Sequence, residues 1–180
     1  MTEDSPCVRL AEPADAAALG RVHVRAWQAT YRGMMPDDFL DGLDSTERGE
    51  MWARALVAPG PGGSRLVICP HAGADPVGFA LVGRVRASGS DESELGELYA
   101  INLDPDNWGR GLGRTLLAAA TEELSRLGFS EAVLWVATGN TRARTFYEAA
   151  GWSADGTERT DDSLGPPVEE VRYRRSLPPG

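Results

Sequence analysis

The stretch Leu103–Leu117, LDPDNWGRGLGRTLL, decides how this chain folds. It follows Leu95–Leu103 (LGELYAINL), apolar enough to form a strand. After it Leu112, Leu116, Ala120, Leu124 and Leu127 recur at helical spacing until Gly128 ends the run. Between the two, Asp104-Pro105-Asp106-Asn107 makes a turn, and glycines alternate at Gly109, Gly111 and Gly113. Alternating glycines let a backbone approach a ligand closely and aim several N–H groups the same way. The first N–H groups of the helix have no intrahelical partner, and the helix dipole adds positive potential there. With Arg110 and Arg114 alongside, the strand, glycine turn and helix read as a phosphate site. A Rossmann fingerprint would need glycine where Arg114 or Leu116 stands. On the glycines alone, the same pattern also suits a helix start that merely needs a tight turn.

Outward from this segment the periodicity alternates between strand and helix. Val8–Ala11 predicts a short strand, and Glu12-Pro13 opens a helix that runs to about Tyr31 through Leu19, Val22, His23, Ala26, Trp27 and Thr30. Gly33 and Pro36 break it, leaving a loop made acidic by Asp37, Asp38, Asp41 and Asp44. A second helix begins near Asp44, which can cap it with Glu47 three residues on, and Met51, Trp52, Ala55 and Leu56 give its buried face. PGPGG at Pro59–Gly63 is a turn. Arg65–Pro70 and Val77–Arg86 are strands joined by a turn at Gly73–Pro76, and the polar run SGSDESE (Ser88–Glu94) separates them from Leu95–Leu103. Beyond the long helix come a buried strand at Ala132–Val136, a helix at Thr141–Ala150, a strand from Gly151-Trp152, and a last strand at Val168–Arg175. The order β-α-α-β-β-β-α-β-α-β-β is an α/β layout with a mixed sheet. No internal repeat or long linker interrupts it, so residues 1–180 read as one domain with a core of about 7–176.

Composition excludes several functions. The chain has 180 residues, 27 acidic against 18 basic, for a net charge of −9. Every basic residue is arginine. That removes a lysine Schiff base, a Walker-A lysine and a lysine general base. The acidic balance argues against nucleic acid as a partner. Cys7 and Cys69 form no CxxC and make no disulfide framework, and with only His23 and His71 a His/Cys zinc site is not expected. No apolar run is long enough to span a membrane and the N-terminus MTEDSPCVRL lacks a signal pattern, so no membrane partner is expected and the location expected is cytoplasmic. The arginine-only, Ala/Gly/Pro-rich usage suggests a bacterial, GC-rich genome.

Three segments resemble the GNAT superfamily of acetyl-coenzyme A-dependent N-acetyltransferases. ELYAINLDPDNWGRGLGRTLL is similar to its [QR]-x-x-G-x-[GA] acetyl-CoA motif, with Gly111 and Gly113 in place but Trp108 at the Gln/Arg position, which removes one side-chain contact. ATGNTRARTFYEAAGW (Ala137–Trp152) resembles the N-x-x-A-x-x-F-Y-x-x-x-G-[FW] stretch, and the opening VRLAEPADAAALGRVHVRAWQATYRGMMPDDFL resembles the start of many bacterial members. The resemblance implies a GNAT-like mixed, mostly antiparallel sheet flanked by helices. It also implies an enzyme that passes acetyl from acetyl-CoA to a primary amine, without a metal or a covalent intermediate. A non-catalytic acyl-CoA-binding module of the same fold is the alternative.

By the same resemblance acetyl-CoA lies against Ile101, Asn102 and Leu103, the turn Gly109, Arg110, Gly111, Leu112, Gly113 and Arg114, and Asn140 and Tyr147. Glu97 matches the family's base, which takes the proton that an ammonium of ordinary pKa near 10.4 must lose before attack. A backbone N–H at a bulge near Ile101–Leu103 would hold the oxyanion. Tyr147 would protonate the leaving thiolate. From the residues alone, Asn140 is equally a helix N-cap and Tyr147 a core aromatic beside Phe146. Arg142 and Arg144 read as solvated arginines near the phosphates. Trp27 and Tyr31, with Met34-Met35, are the candidates for the acceptor wall, and the acceptor is a small-molecule or peptide amine. The resemblance also suggests a homodimer. Strict alternation puts Glu97, Tyr99, Ile101 and Leu103 on one strand face, a phase that a bulge would shift.

Overall fold

A computed structural model gives the architecture and describes residues 5–57, 63–86, 94–163 and 165–178. The expected PGPGG turn, apart from Gly63, and the polar run Ser88–Glu94, apart from Glu94, lie outside the described residues. Seven strands, β1 (Cys7–Leu10), β2 (Gly63–Cys69), β3 (Gly78–Arg84), β4 (Gly96–Leu103), β5 (Glu131–Ala137), β6 (Ser153–Asp161) and β7 (Val168–Ser176), form one sheet in the order β1-β2-β3-β4-β5-β7-β6. Among the described strands, only β4 and β5 run parallel. The helices are α1 (Ala16–Tyr31), α2 (Asp37–Asp41), α3 (Ser45–Val57), α4 (Leu112–Arg126) and α5 (Thr141–Ala149).

Alternate strand residues feed two cores. Leu66, Ile68, Leu98 and Leu134 pack with α4 and α5, around Leu116, Leu124 and Tyr147. Val67, Cys69 and Phe79 pack with α1 and α3, around Leu19, Val22 and Trp52. Local chemistry explains most element ends. Asp44 caps α3, its carboxylate accepting the N–H groups of Thr46 (2.7 Å) and Glu47 (2.9 Å). Glu12-Pro13 opens a single 3-10 turn, Pro13–Asp15, ahead of α1. The acidic loop expected after Pro36 is instead the short helix α2: proline presets the backbone before it, Asp37 and Asp38 suit its first turn, and the Gly42 N–H closes it on Asp38.

Two features of β4 shape the site. The register with β3 slips between Leu81 and Val82, so Val82 faces Leu98, Leu81 faces Ala100, and Tyr99 is the extra residue of a β-bulge. The bulge therefore lies at Tyr99, before the Ile101–Leu103 segment where it was expected. It also reverses the phase: Ile101 and Leu103 join Leu98 on the α4 side, while Ala100 faces α1 and α3. Glu97 and Ile101 do not share a face. Second, β4 pairs with β5 only over Gly96–Leu98 against Ala132–Leu134. Beyond Leu98 the two strands part, leaving a wedge that opens through the sheet.

Candidate active site

The glycine turn is anchored from two sides. Asp104 accepts the Asp106 N–H (3.0 Å), and Arg25 of α1 reaches both carboxylates, 2.7 Å to Asp104 and 2.7 Å to Asp106. Gly109 and Gly111 then adopt left-handed backbone, φ 76° and 81°, which L side chains rarely tolerate. The first helical bonds of α4 run from the Arg114 and Thr115 N–H groups to the Gly111 carbonyl (3.0 and 3.2 Å). The amides of Leu112 and Gly113 therefore have no acceptor within the helix. The Leu112 side chain is buried in the core, so this residue can offer a ligand only its backbone.

Trp108 has a role of its own. Its indole N–H donates to the Leu103 carbonyl (2.9 Å), and the Arg142 guanidinium stacks 3.6 Å from its ring centroid. Arg142 is thus held beside the turn, and Arg114 lines the same cavity. Arg110 is exposed and outside the lining. Arg144 is engaged elsewhere, on the Thr138 carbonyl and the Tyr173 hydroxyl.

A cavity of about 1050 Å³ follows the wedge from one face of the sheet to the other. Its half beside the glycine turn is lined by Gly109, Gly111, Gly113, Ile101, Asn102, Leu103, Asn140 and Tyr147. The Asp104 N–H bonds the Val77 carbonyl at 2.8 Å, and Gly78 faces Leu103 in the register. Alternation along an antiparallel ladder then turns the N–H groups of Ala100 and Asn102 toward β3. Those of Ile101 and Leu103 turn toward the edge that β5 has left. Asn140 is the N-cap of α5, its carbonyl oxygen accepting the Ala143 N–H at 3.0 Å, and it also lines the cavity. Tyr147 is buried, 8% exposed, and burial holds its phenol well above the usual range, with Tyr31 adding to the effect.

The other half opens under α1. Trp27 and Tyr31 both line it, with Met35, although Trp27 is also core, packed with Leu40 and Met35. Glu97 is 3% exposed; it accepts the Arg86 backbone N–H (2.9 Å), and its other oxygen lies 3.8 Å from the Arg86 guanidinium. Arg86 in turn covers the Tyr99 ring, 4.1 Å from its centroid. Facing Glu97 across the wedge are three residues that the sequence reading did not single out: Arg159, Asp161 and Glu170. Arg159 donates to Glu170 (2.7 Å) and stacks 4.2 Å from the centroid of Trp135. Burial raises the Glu170 carboxyl, Arg159 opposes that, and Asp161 and Glu97 raise it further. Tyr31 is pushed up to about 12 by burial, then by Glu170 and Asp161. Three carboxylates thus share a partly desolvated space. Strict alternation in VEEVRYRR places Glu170 with Arg172, opposite Val171 and Tyr173, and was the available signal for Glu170.

His23 lies off this cavity, between Trp27 and Phe79 (ring centroids 5.4 and 5.8 Å), with its buried Nδ1 unpartnered. Among the described residues, no group of three or more His, Cys, Asp or Glu side chains is placed to hold a metal ion. No helix among them is long and apolar enough to cross a membrane.

Residues 26–152 match the model of the Acetyltransferase (GNAT) family. The uncharacterized N-acetyltransferase YuaI of Bacillus subtilis is 34% identical over 143 residues, 79% of this chain and 77% of that protein. A probable N-acetyltransferase of Mycobacterium tuberculosis is 29% identical over 178 residues, 96% of each chain. Mycothiol acetyltransferases match over shorter stretches; this chain spans 25% of the Kocuria rhizophila enzyme at 39% identity. The PaiA N-acetyltransferase of Thermoplasma acidophilum, solved in complex with coenzyme A, shares the fold, with a TM-score of 0.75 at 20% identity over 96% of this chain and 99% of that one.

Proposed function

The chain belongs to the GNAT acetyltransferase family and is an acyltransferase, and from that premise we propose that it moves acetyl from acetyl-CoA to a primary amine by direct attack, with both substrates bound together. One observation carries this reading: a single cavity passes through the β4–β5 wedge and joins the glycine turn to an acid-lined pocket under α1. A long, anionic thioester fits the first half. The pyrophosphate would rest on the amides of Gly111, Leu112 and Gly113 with Arg114 and the Trp108-held Arg142 as counter-charges. Gly109 gives the backbone room to approach, and Arg110 adds positive potential from the rim. Ile101, Asn102 and Leu103 would flank the pantetheine arm, with Asn140 opposite.

The chemistry follows from what lines the narrowing. The amine enters from the α1 side as an ammonium, and Asp161 and Glu170 favour that cation. Glu97 stands one residue before Leu98, where β4 and β5 separate, so it is the carboxylate at the apex and takes the proton. Attack on the thioester carbonyl puts negative charge on its oxygen, and the Ile101 N–H, turned into the wedge, is the donor for it. The carbon–sulfur bond then breaks. Tyr147, whose phenol stays protonated in this setting, gives the leaving sulfur its proton; the nitrogen sheds its second proton to solvent as the amide forms, and Tyr147 takes one back from solvent. Tyr31 and Trp27 wall the acceptor. Cys7 and Cys69 lie outside the cavity lining, consistent with transfer without an acyl-cysteine.

Calorimetry with acetyl-CoA, followed by release of free thiol across amines, polyamines, amino acids and peptides, tests the reading. Saturable binding with turnover on at least one cationic amine is expected. No binding at millimolar acetyl-CoA would overturn it, and binding without turnover on any amine would leave the acyl-CoA-binding module.

A further inference from the structure

Away from the active site, topology brings together two thiols that are far apart in sequence. Cys7 opens β1 and Cys69 closes β2, and the register makes them direct cross-strand partners. The bond from the Ala11 N–H to the Arg65 carbonyl (2.8 Å), one step beyond the Leu10–Leu66 pair, sets the alternation of this ladder. By that alternation Cys7–Cys69 is a hydrogen-bonded rung. Opposed Cα atoms on such a rung sit about 5.5 Å apart, within the separation most common in disulfides. Cross-strand partners share a face, and both cysteines pack into the cluster beneath α1 and α3. Their access differs: Cys69 is 1% exposed, whereas Cys7 is half-buried at the sheet edge. Burial pushes the Cys69 thiol up, Arg9 pulls it down, and the nearby Cys7 raises it again.

We propose that Cys7 and Cys69 are a reversible dithiol–disulfide site, oxidised by exchange with a low-molecular-weight disulfide. Cys7, the reachable thiol, attacks as its thiolate; the small disulfide's S–S bond breaks, one small thiol leaves, and a mixed disulfide remains on Cys7. Cys69 then gives up its proton and attacks the Cys7 sulfur, which expels the second small thiol. In sum, the two protein thiols lose two electrons and two protons, and the small disulfide becomes two thiols. Opposed Cβ atoms lie about 4.5–5.5 Å apart, wider than the roughly 3.8 Å usual in a disulfide. The bond therefore forms by drawing the strands together and is reduced more readily than an unstrained one. The loop it closes contains α1, α2 and α3, so oxidation ties the two ends of that helical segment together across β1 and β2. This site is independent of acetyl transfer.

The experiment incubates the folded, full-length chain with oxidised glutathione and reads intact mass and non-reducing peptide maps. The expected product has lost two hydrogens, links the Cys7 and Cys69 peptides, carries no glutathione, and returns to the dithiol with dithiothreitol. Cys69→Ser should stop at a stable glutathione adduct on Cys7. Wild-type chain that retains glutathione on Cys7, keeps both thiols free, or forms the link only after unfolding in urea would overturn the proposal.

Discussion

Tyr147 and Glu97 stand on opposite sides of the wedge and should fail differently when altered. Tyr147→Phe keeps the ring that packs against Phe146 and Trp152 and removes only the proton. We expect kcat to fall by about 100-fold, the low end for loss of a general acid, with acetyl-CoA affinity within about two-fold. Steady-state kinetics beside calorimetry would show it, and an unchanged kcat removes the acid role. Glu97→Gln should lower kcat by about 100-fold with little change in acetyl-CoA affinity, because an amide at the apex cannot take the ammonium proton. Glu170→Gln should instead raise KM for cationic amines more than it lowers kcat, since its charge binds rather than reacts. If the two profiles are exchanged, the base is Glu170. The raised carboxyl of Glu170 has a clear cause in burial and in the neighbouring Asp161 and Glu97.

At the level of elements, two glycines hold the site by different means. Gly111 is left-handed and open to the cavity, with nothing within 4 Å of where a Cβ would sit. Gly111→Val would meet no neighbour, yet its branched side chain is strained at φ 81° and would stand where a phosphate is proposed to lie. Acetyl-CoA affinity should drop by about ten-fold or more, an order set by losing the close approach that glycine allows; calorimetry would measure it. Gly20 serves the crossing of α1 and α3. A Cβ there would fall 2.5 Å from the Gly49 nitrogen and closer still to the Ser45 carbonyl, so the two backbones touch. Gly20→Ala should cost about 1–3 kcal/mol as overpacking, lowering Tm by roughly 2–12 °C in a scanning melt. Because α1 carries Trp27, Tyr31 and Arg25, some loss of activity should accompany it.

For the whole molecule, acid should act first through His23. Desolvation, and secondarily Arg48, lowers its pKa from 6.5 to about 4. A lowered histidine binds its proton more weakly folded than unfolded, so its contribution is fully present above about pH 6.5. It is lost as pH falls toward 4, to a total of about 3 kcal/mol. Chemical denaturation at pH 7.5 and pH 4.5 should show that loss, and His23→Phe should remove most of it. The net charge of −9 conceals a local reversal, since Arg114 and the stacked Arg142 face the glycine turn. The order of elements apart from α2, the cap at Asp44 and the glycine turn were legible in the residues. Each depends on local spacing, capping and backbone sterics, which a sequence states directly. The bulge at Tyr99, the helix at Asp37–Asp41, the Trp108–Arg142 stack and the facing of Glu97 by Glu170 and Asp161 were not. Nor was the pairing of Cys7 with Cys69. These depend on which strands lie side by side and in what register, and register is settled by the packing of the whole sheet between its two helical layers rather than by any one segment.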